Sequence, residues 1–164
     1  MKYRIFPPLL GLCSLLVFAN WWLNAPAAES PTRAVLYDES ADGAKQIAAA
    51  LVVAKQEHKH VLLQFGANWC GWCHRLHHLF DTNPDIAAKL KSSYVVVLLD
   101  VNGEHNQDID AKYGNPVQYG LPALVVLNAD GRQLTIQDTE QLEEGDHHNP
   151  EKVKAFLDRW APKK

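Results

Sequence analysis

The chain has 164 residues, 47% hydrophobic and 21% charged, which is enough apolar material for one packed domain and too much for a disordered chain. Its 16 Lys and Arg against 19 Asp and Glu give a formal charge of −3, and without a basic tract there is no electrostatic footprint for nucleic acid. Only residues 5–23 approach membrane-spanning length, which excludes a multi-span transporter.

Lys2 and Arg4 are the only charges in the first 27 residues, so the remainder is more acidic. An apolar run over residues 9–18, broken by Gly11, Cys13 and Ser14, leads to the small residues Ala25-Pro26-Ala27. This pattern predicts a secretory signal over residues 1–27 and a mature domain over 28–164 in an oxidising compartment. If retained, the same segment is an inner-membrane anchor, with Trp21 and Trp22 placed as interfacial aromatics. The bulky Leu12 ahead of Cys13 argues against lipidation there.

Beyond a Pro- and Ser-containing lead-in, residues 34–37 have the composition of a short edge strand. Residues 42–58 read as a helix, with Ile47, Leu51 and Ala54 at helical spacing and Ser40 or Asp42 as cap. Residues 61–65, apolar except for Gln64, predict a strand buried on both faces. A helix opens at Cys70 with Cys73, Leu76 and Phe80 on one face, stops near Asp81, and restarts at Thr82-Asn83-Pro84. Residues 94–99, uncharged and β-branched, form the strongest strand signal, ended by Asp100. A short helix over 107–113 follows. Strands over 124–127 and 133–136 flank the turn signal Asn128-Ala129-Asp130-Gly131. An acidic loop over 137–149, with His147 and His148 read as solvent-facing, leads to an amphipathic helix from Pro150, its inner face carrying Val153, Phe156, Leu157 and Trp160. The order β, α, β, α, β, α, β, β, α predicts an α/β domain, a mixed sheet covered on both faces by helices.

After Cys13, two cysteines remain, and they stand three residues apart. In an oxidising compartment thiols are paired structurally or used chemically. A staple gains stability by closing a long loop, and this pair closes almost none. Cys70-Gly71-Trp72-Cys73 follows a buried strand and opens a helix, so Cys70 faces unsatisfied backbone N–H groups and the positive end of the helix dipole. Such positions lower a thiol pKa from about 8.5 to about 3.5–7.5, and the thiolate is the attacking species. Cys70 is therefore the candidate nucleophile, and Cys73, one turn in on the apolar face, the resolving thiol.

The string Leu63-Gln64-Phe65-Gly66-Ala67-Asn68-Trp69-Cys70-Gly71-Trp72-Cys73 resembles the active-site segment of the thioredoxin-like family. Gly120-Leu121-Pro122 resembles its cis-proline loop, and residues 80–85 with 95–100 are most similar to bacterial envelope thiol:disulfide interchange proteins, in the C-terminal domain that feeds periplasmic disulfide reductases. The resemblance implies a thioredoxin-like fold and a cis Pro122 beside the cysteines. It further implies a substrate strand paired with the backbone at Leu121, and Trp69 and Trp72 as apolar walls. Partners would be disulfide-containing envelope proteins and a thiol electron donor, with no cofactor and no metal. The chain departs from the family at Gln64, where many members carry a buried acid, and at Val96 to Leu98, where the usual lysine is missing; this leaves open how Cys73 loses its proton. Gln64 and His74 are the candidate tuning or proton-transfer groups.

Two other chemistries compete. Cys70 to His74 also spells the c-type haem signature, although the sole methionine is Met1 and a second axial ligand would have to be histidine. The two thiols and eight histidines could instead form a soft-metal or zinc site, but His74 and His78 share a helix face that Cys73 does not, and the bland reading of that face is solvation. His58, His60 and His105 carry no signal. Direction of electron flow rests on Gly71-Trp72, which places no charged or imidazole group between the cysteines; that argues for a reductase over a strong oxidase, while a protonated His74 would favour oxidation. An oxidase or isomerase of the same fold is the alternative.

Overall fold

The computed structural model describes residues 35–163. Residues 1–27, the expected signal, lie outside these. Helix α1 spans Gly43–Glu57, β1 His60–Gly66, α2 Gly71–Thr82, α3 Pro84–Ser93, β2 Tyr94–Asp100 and α4 Gln107–Lys112. Strands β3 (Ala123–Leu127) and β4 (Gln133–Asp138) follow, then the two-residue strands β5 (Glu143–Glu144) and β6 (His147–His148), and α5 (Pro150–Trp160).

Four strands make one sheet in the order β2-β1-β3-β4. Strand β1 runs parallel to β2 and antiparallel to β3, and β3–β4 is an antiparallel hairpin closed at Gly131, whose φ of 82° suits a residue without a side chain. Strand alternation sorts the core into two layers. Val61, Leu63 and Phe65 pack under α1 with Val125 and Leu127, whereas Leu62, Leu124 and Val126 meet Leu76, Ile86 and Leu157 from α2, α3 and α5. Gln64, an even-numbered residue of an interior strand, necessarily faces the α2 side.

Caps set the helix ends. Asp42 accepts the Lys45 N–H to start α1. Asn83 both ends α2 and begins α3, accepting the Asp85 and Ile86 N–H groups at 3.1 Å ahead of Pro84 at the first helical position. One chain segment thereby becomes two short helices.

The structure corrects the sequence reading in two places. Residues 35–37 form no strand, so the described domain begins with α1; the Leu36 and Tyr37 N–H groups donate to Asn68 Oδ1 at 2.9 Å, and Asn68 Nδ2 donates to the Tyr37 carbonyl at 2.9 Å. One amide side chain has taken the place of a strand partner. The acidic loop is also ordered, with a 3-10 turn at Thr139–Leu142 and the β5–β6 hairpin. Trp160 is only half-buried, at the margin of the core.

Asn68→Ala removes four hydrogen bonds that tie the lead-in to the end of β1, the fourth running from Asn68 Nδ2 to Glu39 Oε1 at 2.9 Å. It is expected to lower stability by about 1–3 kcal/mol and to speed amide exchange at Leu36 and Tyr37 while leaving the β1 amides protected. Equal protection of all these amides in the variant would show that Asn68 does not hold the segment.

Candidate active site

Strand β1 ends at Gly66 and the chain turns through Ala67 to Cys70, whose N–H bonds to the Ala67 carbonyl at 3.0 Å. The turn sets the Cys70 side chain at the start of α2, where its sulfur accepts the Cys73 N–H at 3.1 Å. Cys70 and Cys73 are joined as a disulfide. The two sulfurs are not equivalent: Cys73 is 0% exposed and Cys70 5%. Residue 71, next to Cys70, is exposed, so the chain opens to solvent on the Cys70 side.

Tyr37, Cys70 and Cys73 pack as one buried cluster, against which Trp72, Leu98 and Leu121 close. The Leu121–Pro122 peptide is cis, and Pro122 is buried with its carbonyl accepting the Thr139 hydroxyl. Gln64 lies beneath Cys73: its Nε2 donates to the Tyr37 hydroxyl at 2.7 Å and lies 3.5 Å from the Cys73 carbonyl. Its Oε1 is buried without a partner. The predicted residues Gln64, Cys70, Trp72, Cys73 and Leu121 thus meet. Two others are turned to different partners. Trp69, 60% exposed, donates from Nε1 to Asn102 Oδ1 at 3.0 Å. His74 Nε2 donates to the Asn68 carbonyl at 2.8 Å.

That last bond bears on haem. The nitrogen facing a carbonyl must carry a proton and offers no lone pair to iron, and each cysteine sulfur is bonded to the other. In this arrangement neither that nitrogen nor either sulfur is free for a haem. Among the described residues, no three His, Cys, Asp or Glu side chains converge as a metal-ligand group.

Three functional neighbours escaped the sequence reading: Tyr37, Asn68 and His148. His148, expected in solvent, is 3% exposed. Its ring packs edge-on against Trp72 with centroids 5.2 Å apart, and its Nε2 donates to the Trp72 carbonyl at 3.3 Å. Arg75 stands over the Trp72 ring at 4.7 Å. The β5–β6 hairpin therefore delivers a histidine beneath the dipeptide that separates the cysteines. Only its pairing with Trp72, 76 residues away, makes it a core residue, and local composition carries no trace of that.

Disulfide exchange is the chemistry that such a strand-to-helix turn supports, and proteins built this way are disulfide oxidoreductases. The chain belongs to the thioredoxin-like family, whose model matches residues 43–129. The thiol:disulfide interchange protein DsbD of Vibrio vulnificus is 28% identical over 116 residues, 71% of this chain and 19% of that protein. The DsbD of Klebsiella pneumoniae is 29% identical over 123 residues, 75% of this chain and 20% of its own length. The chain thus spans about a fifth of the length of these curated relatives. Among solved structures, a disulphide isomerase from Xylella fastidiosa Temecula1 matches with a TM-score of 0.69 and 34% identity, over 77% of this chain and 96% of that one. The oxidised C-terminal domain of Neisseria meningitidis DsbD shares the fold, with a TM-score of 0.51 and 22% identity over 72% of this chain and 96% of that one.

Burial holds the His148 pKa below its ordinary 6.5, with the charges of Arg75 and His147 acting in the same direction and the bond to the Trp72 carbonyl opposing them. The folded state prefers the neutral ring. Its contribution to stability is complete above pH 6.5 and is lost as pH falls through the lower folded-state value. Urea midpoints are therefore expected to fall from about pH 7 to about pH 5 more steeply in the wild type than in His148→Phe. Parallel pH curves for the two proteins would show that His148 is not charge-sensitive.

Proposed function

We propose that this chain is a periplasmic thiol–disulfide oxidoreductase working in the reducing direction, exported by residues 1–27 and active through residues 28–164. The observation that carries the mechanism is the asymmetry of the two sulfurs. Cys70 caps a helix at the solvent side, while Cys73 is enclosed. The Cys70 thiolate attacks a target disulfide; that S–S bond breaks, the departing thiolate takes up a proton, and a Cys70 mixed disulfide forms. Cys73 then loses its proton and attacks Cys70 Sγ. The intramolecular disulfide closes and the second target thiolate leaves, so two electrons pass from the protein dithiol to the target. A thiol electron donor restores the dithiol.

Substrate recognition is assigned to the backbone at Leu121 ahead of Pro122, with Trp69 and Trp72 as apolar walls. Disulfide-containing envelope proteins are the substrate class, in keeping with the DsbD relatives. Isomerisation is the second reading, favoured by the 34% identity to the Xylella fastidiosa disulphide isomerase.

Cys70→Ser is expected to abolish exchange, whereas Cys73→Ser retains an attacking thiol and accumulates mixed disulfides. Equal inactivity of both variants with no trapped adduct would refute the assignment of roles. Because Gly71-Trp72 adds no charge between the cysteines, the reduction potential is expected between about −270 and about −180 mV. Equilibration against glutathione giving a value above about −150 mV would mark an oxidase instead, and efficient reshuffling of a scrambled substrate would mark an isomerase.

A further inference from the structure

Tyr37 is a buried titratable group that the exchange described above does not use. Its ring is wholly enclosed against Cys70 and Cys73, and its backbone is fixed by Asn68 on both its N–H and its carbonyl. The hydroxyl oxygen accepts Gln64 Nε2 at 2.7 Å. That nitrogen also lies 3.5 Å from the Cys73 carbonyl, an obligate acceptor, which orients the amide with its N–H groups toward both oxygens. The phenolic proton is therefore left for a third group.

Gly66 shows which one. A Cβ on Gly66 would stand 2.2 Å from the Tyr37 hydroxyl oxygen and 2.8 Å from Cys73 Sγ. Phenol and resolving sulfur flank the space of one missing side chain. Burial raises the Tyr37 pKa far above its ordinary 10.0, with the bond from Gln64 opposing and the negative charge of Asp100 adding to the effect, so the phenol keeps its proton and has it to donate. The groups that face it are Gln64 from β1, Cys70 and Cys73 from α2, and Asp100 from the end of β2, itself bonded to His105 Nδ1 at 3.0 Å. Of these, the sulfurs of Cys70 and Cys73 each become negative in the reaction, and Cys73 is the one that borders the same space at Gly66 as the phenol.

We propose that the Tyr37 hydroxyl donates a hydrogen bond to the Cys73 sulfur as that thiol ionises, and thereby promotes the resolving step. The inference rests on the exchange mechanism proposed above. The proton of Cys73 passes to solvent, and the departing target thiolate takes one up. The Cys70–Cys73 bond forms as the Cys70–target bond breaks, and Tyr37 retains its own proton throughout. Gln64 acts as a positioning residue that holds the phenol in place. The site thus combines an uncharged glutamine at position 64 with a neutral donor brought in from the lead-in segment.

Tyr37→Phe keeps the ring and removes the donor. With thionitrobenzoate loaded on Cys70 as a mixed disulfide, release of the coloured thiol reads resolution alone. Tyr37→Phe is expected to slow this release about tenfold near neutral pH and to displace its alkaline plateau upward by about one pH unit, the loss of one hydrogen bond to a charged group. Attack of Cys70 on the free aromatic disulfide, compared between Cys73→Ser and Tyr37→Phe/Cys73→Ser, is expected to be unchanged. An unaltered release profile, or equal slowing of both steps, overturns the role of Tyr37. In the intact protein with tyrosine carbon-labelled at Cζ, the Tyr37 resonance is expected to follow the Cys73 titration when the pair is reduced and to stay fixed over the same pH range when it is oxidised. The absence of that difference also overturns the proposal. A wild-type adduct that releases no thiol at all refutes the exchange mechanism itself.

Discussion

Helix α2 begins on a sulfur atom, and the chemistry of the site depends on that substitution for oxygen. Elsewhere in the chain, α1, α3 and α5 are capped by the side-chain oxygens of Asp42, Asn83 and Asn149. At α2 the acceptor is Cys70 Sγ, and neutral sulfur accepts weakly. The N-terminal N–H groups are consequently under-satisfied until the sulfur carries charge, and an anion there interacts favourably with the helix dipole. Helix and thiolate stabilise each other. For this to work, β1 must deliver the chain to one point at the sheet's end, and the burial of β1 between β2 and β3 fixes that point.

The same strand imposes a constraint on the layer below. Because side chains alternate on a strand, position 64 faces α2, and any residue there must live without water beneath Cys73. A carboxylate in that position would need its pKa raised or a charged partner. Glutamine avoids the charge but still requires partners for an amide, and it finds them on its nitrogen side in Tyr37 and Cys73. The orphaned oxygen is the residual cost of a polar group in this layer.

Much of this was legible from local patterns. The apolar run of β1, broken only by Gln64, identifies a strand buried on both faces, the β-branched run of β2 identifies a strand, Asn83-Pro84 marks the break between α2 and α3, and the spacing of Cys73, Leu76 and Phe80 gives the inner face of α2. The failures share one cause. Residues 35–37 look like a strand because Val35, Leu36 and Tyr37 are apolar, yet their hydrogen bonds go to a side chain about thirty residues onward. His148 sits among acids and turn residues and is buried only because Trp72 receives it. Periodicity reports which faces of an element are apolar, and it cannot report a partner brought close by the tertiary fold.

Gly66 and Tyr37 occupy a single volume between them, although they lie far apart in the chain. Neither position can be varied independently. A side chain at 66, even a methyl, displaces the phenol, while a small residue at 37 leaves a cavity beside Cys73 that an enlarged residue 66 would fill from the strand side. Among relatives of this chain the two positions should therefore exchange size in concert, with glycine at 66 accompanying an aromatic at 37 and a bulky residue at 66 accompanying a small one. A pairwise substitution pattern of that kind would record the shared space in sequences alone.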